Sequence, residues 1–285
     1  MKIKENIILL PFDFTDVATS VANHAAGIAK LLNYEICLLH IINKDTKTEL
    51  KKGKLGIETV FDKLKTISSD IEAKHNVKTS FISRQGSIFT AIGDVAKEIG
   101  ANIVILPTHG RKGIQHVVGS YAFKVVTSSP VPVIVVKKDA KWNGYKNIVL
   151  PLDASLESKQ KVKWAIYIAS KFNSTINIIV INEPDSILKT KVDKNTEQIK
   201  KVLKENNISY TIKLADKKAT NFSKQVMEYS NKINADLVTI MTKTTDKLIP
   251  DFILTTWAER IIAESKIPVM CINPLDVYFI ITGHT

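Results

Sequence analysis

Apolar residues in this chain recur with two periods, and the periods alternate. Short β-branched runs, Ile7 to Leu10, Ile36 to Ile41, Lys78 to Ile82, Ile103 to Leu106 and Val131 to Val136, read as strands. Between them Ile57, Val60, Phe61, Leu64, Ile67 and Ile71 keep helical spacing. So do Ile88, Ala91, Ile92, Val95, Ala96 and Ile99, behind Ser87 as an N-cap. The strands are close to continuously apolar, which predicts burial on both faces and helices above and below a parallel sheet.

The whole pattern then repeats. Residues 147–182 return the pattern of residues 6–42, and a shift of 140 carries Pro11 onto Pro151, Asp13 onto Asp153, Asn33 onto Asn173 and Ile36 onto Ile176 without a gap. Val131-Pro132-Val133 reappears as Ile267-Pro268-Val269. Second-half strands are therefore predicted near 147–152, 176–181, 208–214, 236–241 and 267–272. The expected division is a domain over 1–139, a second over 146–275 and a tail over 276–285, with the polar stretch Lys137 to Lys146 as the boundary. In that tail Val277 to Ile281 has β character and suits either an added edge strand or packing over a domain end.

In an open doubly wound sheet, ligands bind beyond the carboxyl ends of the strands where the strand order reverses. Two segments there carry candidate chemistry. Asp13 ends the first strand; it suits hydrogen bonds from a ribose or base, and it equally suits capping of the following helix. Its recurrence as Asp153 favours a structural component. The segment from Thr108 through His109, Gly110, Gly113 and Gly119 to Ser120 follows the fourth strand and opens a helix. Glycines there let backbone N–H groups approach a phosphate at the positive end of a helix dipole, although a tight turn also explains them.

Net charge is +12, from 40 Lys and Arg against 28 Asp and Glu. The lysines are dispersed, in stretches such as Lys44 to Lys54 and Lys189 to Lys204 that look like loops and exposed helix faces, and no nucleic-acid-binding motif accompanies them. No specific nucleic-acid partner is expected. The apolar run at the start is short and broken by Pro11 and Asp13, which suits neither a signal peptide nor a membrane helix, so a cytoplasmic protein is expected. Cys37 and Cys271 sit singly in apolar runs, and His24, His75, His116 and His284 have no ligand spacing, so neither a disulfide nor a metal site is indicated. His40 reads as a satisfied core or rim histidine and His109 as a turn residue rather than an acid or base. Walker A, Rossmann and nucleophile-elbow motifs are all missing, and no catalytic residue is assigned.

Taken together, Ile8 to Asp16 (ILLPFDFTD), Leu38 to Ile42 (LLHII), Thr108-His109-Gly110 with Gly119-Ser120, and Ser129 to Val136 (SPVPVIVV) resemble the universal stress protein family in its tandem form. The resemblance implies two adenine-nucleotide-alpha-hydrolase-like α/β domains, each a five-stranded parallel sheet of order 3-2-1-4-5. It also implies dimer-like association, within the chain or with a second copy, a role in stress response through an unknown protein partner, and, in one branch, ATP binding with or without Mg²⁺. Carried over, Asp13 serves the base or ribose and Ile41 lines the adenine pocket. Thr108 and His109 open the phosphate loop, Gly110, Gly119 and Ser120 hold the phosphates, and Gly113 shapes the loop. The family's Gly-x2-Gly-x9-Gly-Ser/Thr pattern is altered here: Pro107 replaces the first glycine, and eight residues separate Gly110 from Gly119. The matching second-half stretch, Met241 to Arg260, has no glycine and carries Thr255-Thr256 in place of Gly119-Ser120. That half reads as a pseudo-site and pairing partner. The alternatives are a docking module that binds no nucleotide and a slow ATPase.

Overall fold

The computed structural model describes residues 6–108, 118–155, 160–216, 221–242 and 257–274. The chain divides into two compact units between Trp142 and Asn143. The first unit runs β1 (Ile7–Pro11), α1 (Asp16–Leu32), β2 (Glu35–Ile42), α2 (Lys44–Lys52), α3 (Glu58–His75), β3 (Thr79–Gln85), α4 (Ile88–Ile99), β4 (Ile103–Thr108), α5 (Val118–Ser128) and β5 (Val133–Lys137). Its strands are parallel in the order β3-β2-β1-β4-β5. The register sets Ile8 beside both Ile36 and Ile103, and Leu38 beside Phe81.

Sequence accounts for several of these elements. All eight residues of β2 are buried, as a strand covered on both faces requires. Helix α1 lays an alanine-rich face on the sheet, burying Ala18, Ala22, Ala25, Ala26 and Ala29, which lets the backbone come close. Thr15 caps its start, and Asn33 ends it in the left-handed region at φ 56°. Asn173 repeats that stop at φ 51°, so one residue of the repeat is explained by its backbone duty. Gly100 closes α4 the same way at φ 67°.

The second unit comprises β6 (Asn147–Leu152), α6 (Gln160–Phe172), β7 (Thr175–Val180), α7 (Ser186–Glu205), β8 (Tyr210–Leu214), α8 (Phe222–Lys232), β9 (Leu237–Met241), α9 (Trp257–Glu264) and β10 (Val269–Ile272). The strand order β10-β9-β6-β7-β8 is the order of the first unit read from its other edge, again parallel. Two tandem doubly wound domains are therefore present.

Some boundaries differ from the predicted ones. Strands β5 and β10 begin after Pro132 and Pro268 rather than before them. Each proline lacks an N–H and enters the ladder through its carbonyl alone, accepting from Val104 and Val238 at 2.9 and 3.0 Å. Strand β3 runs three residues past Ile82, and those residues are exposed at the sheet edge, where no apolar pattern is needed. The stretch after Asn43 is a nine-residue helix with no buried residue, capped by the Asn43 side chain.

Candidate functional site

A cavity of about 590 Å³ opens at the carboxyl ends of β1, β2 and β4, where the winding of the first sheet reverses. Phe12, Leu39, Ile41 and Leu106 supply apolar surface from the strand ends. Helix α2 contributes Thr46, Glu49 and Leu50, α3 Val60 and Lys63, α4 Ile88 and Ile92, and α5 Ala122 and Val125. Volume and lining suit a small organic ligand with one polar end.

Asp13, Ile41 and Thr108 all face this cavity. Ile41 is buried, and the Thr108 hydroxyl donates to the Val136 carbonyl at 3.4 Å, which ties it to β5. Asp13 is exposed, and its Oδ1 accepts the Thr15 N–H at 3.2 Å and the Thr15 hydroxyl at 2.7 Å. Thr15 Oγ1 in turn accepts the Ala18 N–H at 3.4 Å. The cap of α1 is thus Thr15, and Asp13 braces it. The second unit repeats the turn, with Asp153 Oδ1 accepting the Ser155 N–H at 3.0 Å and its hydroxyl at 2.5 Å. This shared turn is the structural component that the repeated aspartate predicts. Gly119 and Ser120 fall in the first turn of α5. His109, Gly110 and Gly113 lie outside the described residues, as does Val277 to Ile281.

Phe14 and Lys63 are not singled out by the sequence, while His40 reads there as a satisfied core or rim histidine. Phe14 holds the left-handed backbone region at φ 61°, unusual for an aromatic residue. Its ring lies 4.5 Å from the His40 ring at 35° and edge-on to Phe12 at 5.9 Å, with the Lys63 ammonium 5.8 Å from its centre. His40 Nδ1 donates to the Phe12 carbonyl at 2.8 Å, which leaves Nε2 to accept the Thr46 hydroxyl at 3.1 Å. Burial lowers the His40 pKa, partly opposed by the bond to Phe12 and by the charges of Asp13 and Glu49. The imidazole is therefore a neutral, doubly bonded brace between β1, β2 and α2. Lys63 is legible in retrospect, three residues after Val60 on one helical face. Among the described residues, the charged side chains on the lining are Asp13, Asp45 and Glu49 with Lys63, in a chain of opposite net charge.

The brace does not recur at the matching positions of the second unit, where Ala154 stands for Phe14 and Val180 for His40. The aspartate turn is shared by both units.

Two stretches of the chain, residues 6–137 and 144–273, match the model of the universal stress protein family. The chain belongs to the universal stress protein family. Two universal stress proteins of Methanocaldococcus jannaschii are similar to part of it. One is 27% identical over 142 residues, covering 47% of this chain and 83% of its own length. The other is 26% identical over 163 residues, covering 48% and 98%. Among solved structures, a universal stress protein of Archaeoglobus fulgidus covers 95% of this chain and all of its own at 19% identity, with a TM-score of 0.75. A Pseudomonas aeruginosa protein of unknown function covers 96% and 94% at 15% identity, with a TM-score of 0.65. The two solved structures agree with this chain in their fold over nearly its whole length. Among the described residues no helix is long and apolar enough to cross a membrane, and no three His, Cys, Asp or Glu side chains converge as a metal ligand set.

Proposed function

We propose that the first domain of this universal stress protein binds ATP or a related adenine nucleotide and that occupancy alters its contacts with protein partners. One observation carries the reading: the cavity stands at the switch point of the first sheet, with Asp13 and Ile41 on its lining and the first turn of α5 beside it. The apolar surface of Ile41, Leu39 and Phe12 suits a purine face, and the Asp13 carboxylate suits a ribose or base donor. Phosphates belong at the start of α5, away from Asp13, Asp45 and Glu49, whose charges would repel them. Any Mg²⁺ would reach the site on those phosphates. The second domain acts as a pairing partner that holds no nucleotide. Its Met241 to Arg260 stretch lacks glycine, so close backbone approach to a phosphate is blocked.

A docking module without nucleotide is the competing reading, and Pro107 favours it. This residue lines the cavity in place of a glycine and has no N–H to offer a phosphate. Mass spectrometry of the purified protein, followed by titration with ATP, separates the two. Bound nucleotide or a saturable heat supports the first reading, and Gly119→Val should abolish it with the fold intact. No nucleotide and no heat supports the second. Phosphate release from ATP that His109→Ala removes is the result that would make the protein an enzyme.

A further inference from the structure

The second unit carries a buried lysine that has no match among the described residues of the first unit. Lys161, in the first turn of α6, stands where the shift of 140 places Val21, a residue packed in the first core. The Lys161 side chain is fully buried, and among the described residues its ammonium has no hydrogen-bond partner. The ring of Trp257, at the start of α9, has its centre 5.6 Å away, and the Asp153 carboxylate acts on the ammonium through space. Burial pulls the amine down to about 8 from its ordinary value, so it is still largely protonated at neutral pH.

An ammonium has three donors that water satisfies in the unfolded chain. Enclosing it without an acceptor is among the costliest things a fold does, and a valine serves the same helical position in the first half. The neighbours do not meet the need. An indole face attracts a cation but leaves its N–H groups without oxygen acceptors. Asp153 Oδ1 is engaged twice by Ser155. A group with several acceptor oxygens and a negative charge matches three ammonium donors.

We propose that the second unit binds a small oxyanion, a phosphate or carboxylate group, whose oxygens accept from Lys161 against the Trp257 ring. The site lies at the carboxyl end of the second sheet, is distinct from the cavity of the first unit, and does not depend on that cavity binding nucleotide. It gives the degenerate half a ligand of its own, recognised by one buried cation rather than by a glycine loop.

Tryptophan emission tests it, because Trp257 lies beside the proposed ligand. The full chain is titrated with inorganic phosphate and, separately, with acetate, at constant ionic strength. The same titrations on Trp257→Phe isolate its signal from those of Trp142 and Trp164, and Gly119→Val separates this site from the first-unit loop. The expected result is a saturable change in the wild type and in Gly119→Val, absent from Trp257→Phe. Lys161→Met should weaken it by ~30-fold or more, as loss of one partner of a buried charge pair does. Response to phosphate alone identifies a phosphate site, to acetate alone a carboxylate site, and to both a general oxyanion site. Lack of any saturable change in the wild type overturns the proposal. So does an unchanged affinity in Lys161→Met, or in Lys161→Val, which restores the residue of the first half.

Discussion

His24 and Lys161 are both ionisable residues on the core side of a helix, and burial acts on both by disfavouring the charged form. His24 sits on α1 with its ring edge-on to Trp142 at 4.8 Å, and burial pushes its pKa down to about 4. Between that value and its ordinary 6.5 the unfolded chain binds the proton and the folded chain does not. Stability therefore falls as pH falls through this window, by up to about 3 kcal/mol from this one group. Urea unfolding at pH 7 and pH 4.5 should show His24→Phe losing ~2 kcal/mol less than the wild type across that interval; equal losses would contradict the assignment. For Lys161 the folded pKa is again the lower one, so its penalty is fully present at pH 7 and shrinks only as pH rises above about 8. Lys161→Met should accordingly raise the melting temperature at pH 7 in the absence of oxyanions. Gly27 marks the other constraint on this face. A Cβ there would meet Trp142 Nε1 at 2.1 Å, so Gly27→Val should destabilise by ~2 kcal/mol or more through overpacking, read as a lower urea midpoint.

At the scale of elements, the aspartate turns connect a strand end to a helix start in both units. Asp13 holds Thr15, and Thr15 caps α1. Thr15→Ala should cost about 1 kcal/mol, the usual value of an N-cap, measured by chemical unfolding. Asp13→Asn and Asp153→Asn should lower stability by similar small amounts, while only Asp13→Asn weakens nucleotide binding. Equal effects of the two on binding would show that Asp13 does nothing beyond the turn. These turns, the strands and the asparagine stops are legible in the sequence because each is local: the β-branched run, the Asp-x-Thr or Asp-x-Ser spacing and the asparagine at φ > 0 lie within a few residues. Helix α2 is not, since it buries nothing and has no apolar stripe to reveal it. The Phe14, His40 and Lys63 cluster is likewise hidden, because β1, β2 and α3 are brought together by the winding of the sheet. Periodicity reports which face of an element is apolar, not which residues of distant elements meet there.

Across the whole molecule, repetition and divergence carry different information. The repeat fixes two domains of one topology, with asparagine stops, proline strand entries and aspartate turns in matching places. Divergence reaches the carboxyl ends of the strands, where Phe14 and His40 give way to Ala154 and Val180 and Gly119-Ser120 to Thr255-Thr256, and it reaches the first helix, where Val21 gives way to Lys161. Substitutions at the ligand end leave the sheet intact, because the core residues that hold it lie below. The two halves thus share an architecture and differ in what they are equipped to hold. Calorimetric titration of the nucleotide-free full chain with ATP tests that claim most directly. A single saturable site per chain is expected, which Gly119→Val abolishes and Lys161→Met leaves unchanged. No heat, two equivalent sites per chain, or binding that survives Gly119→Val would contradict it.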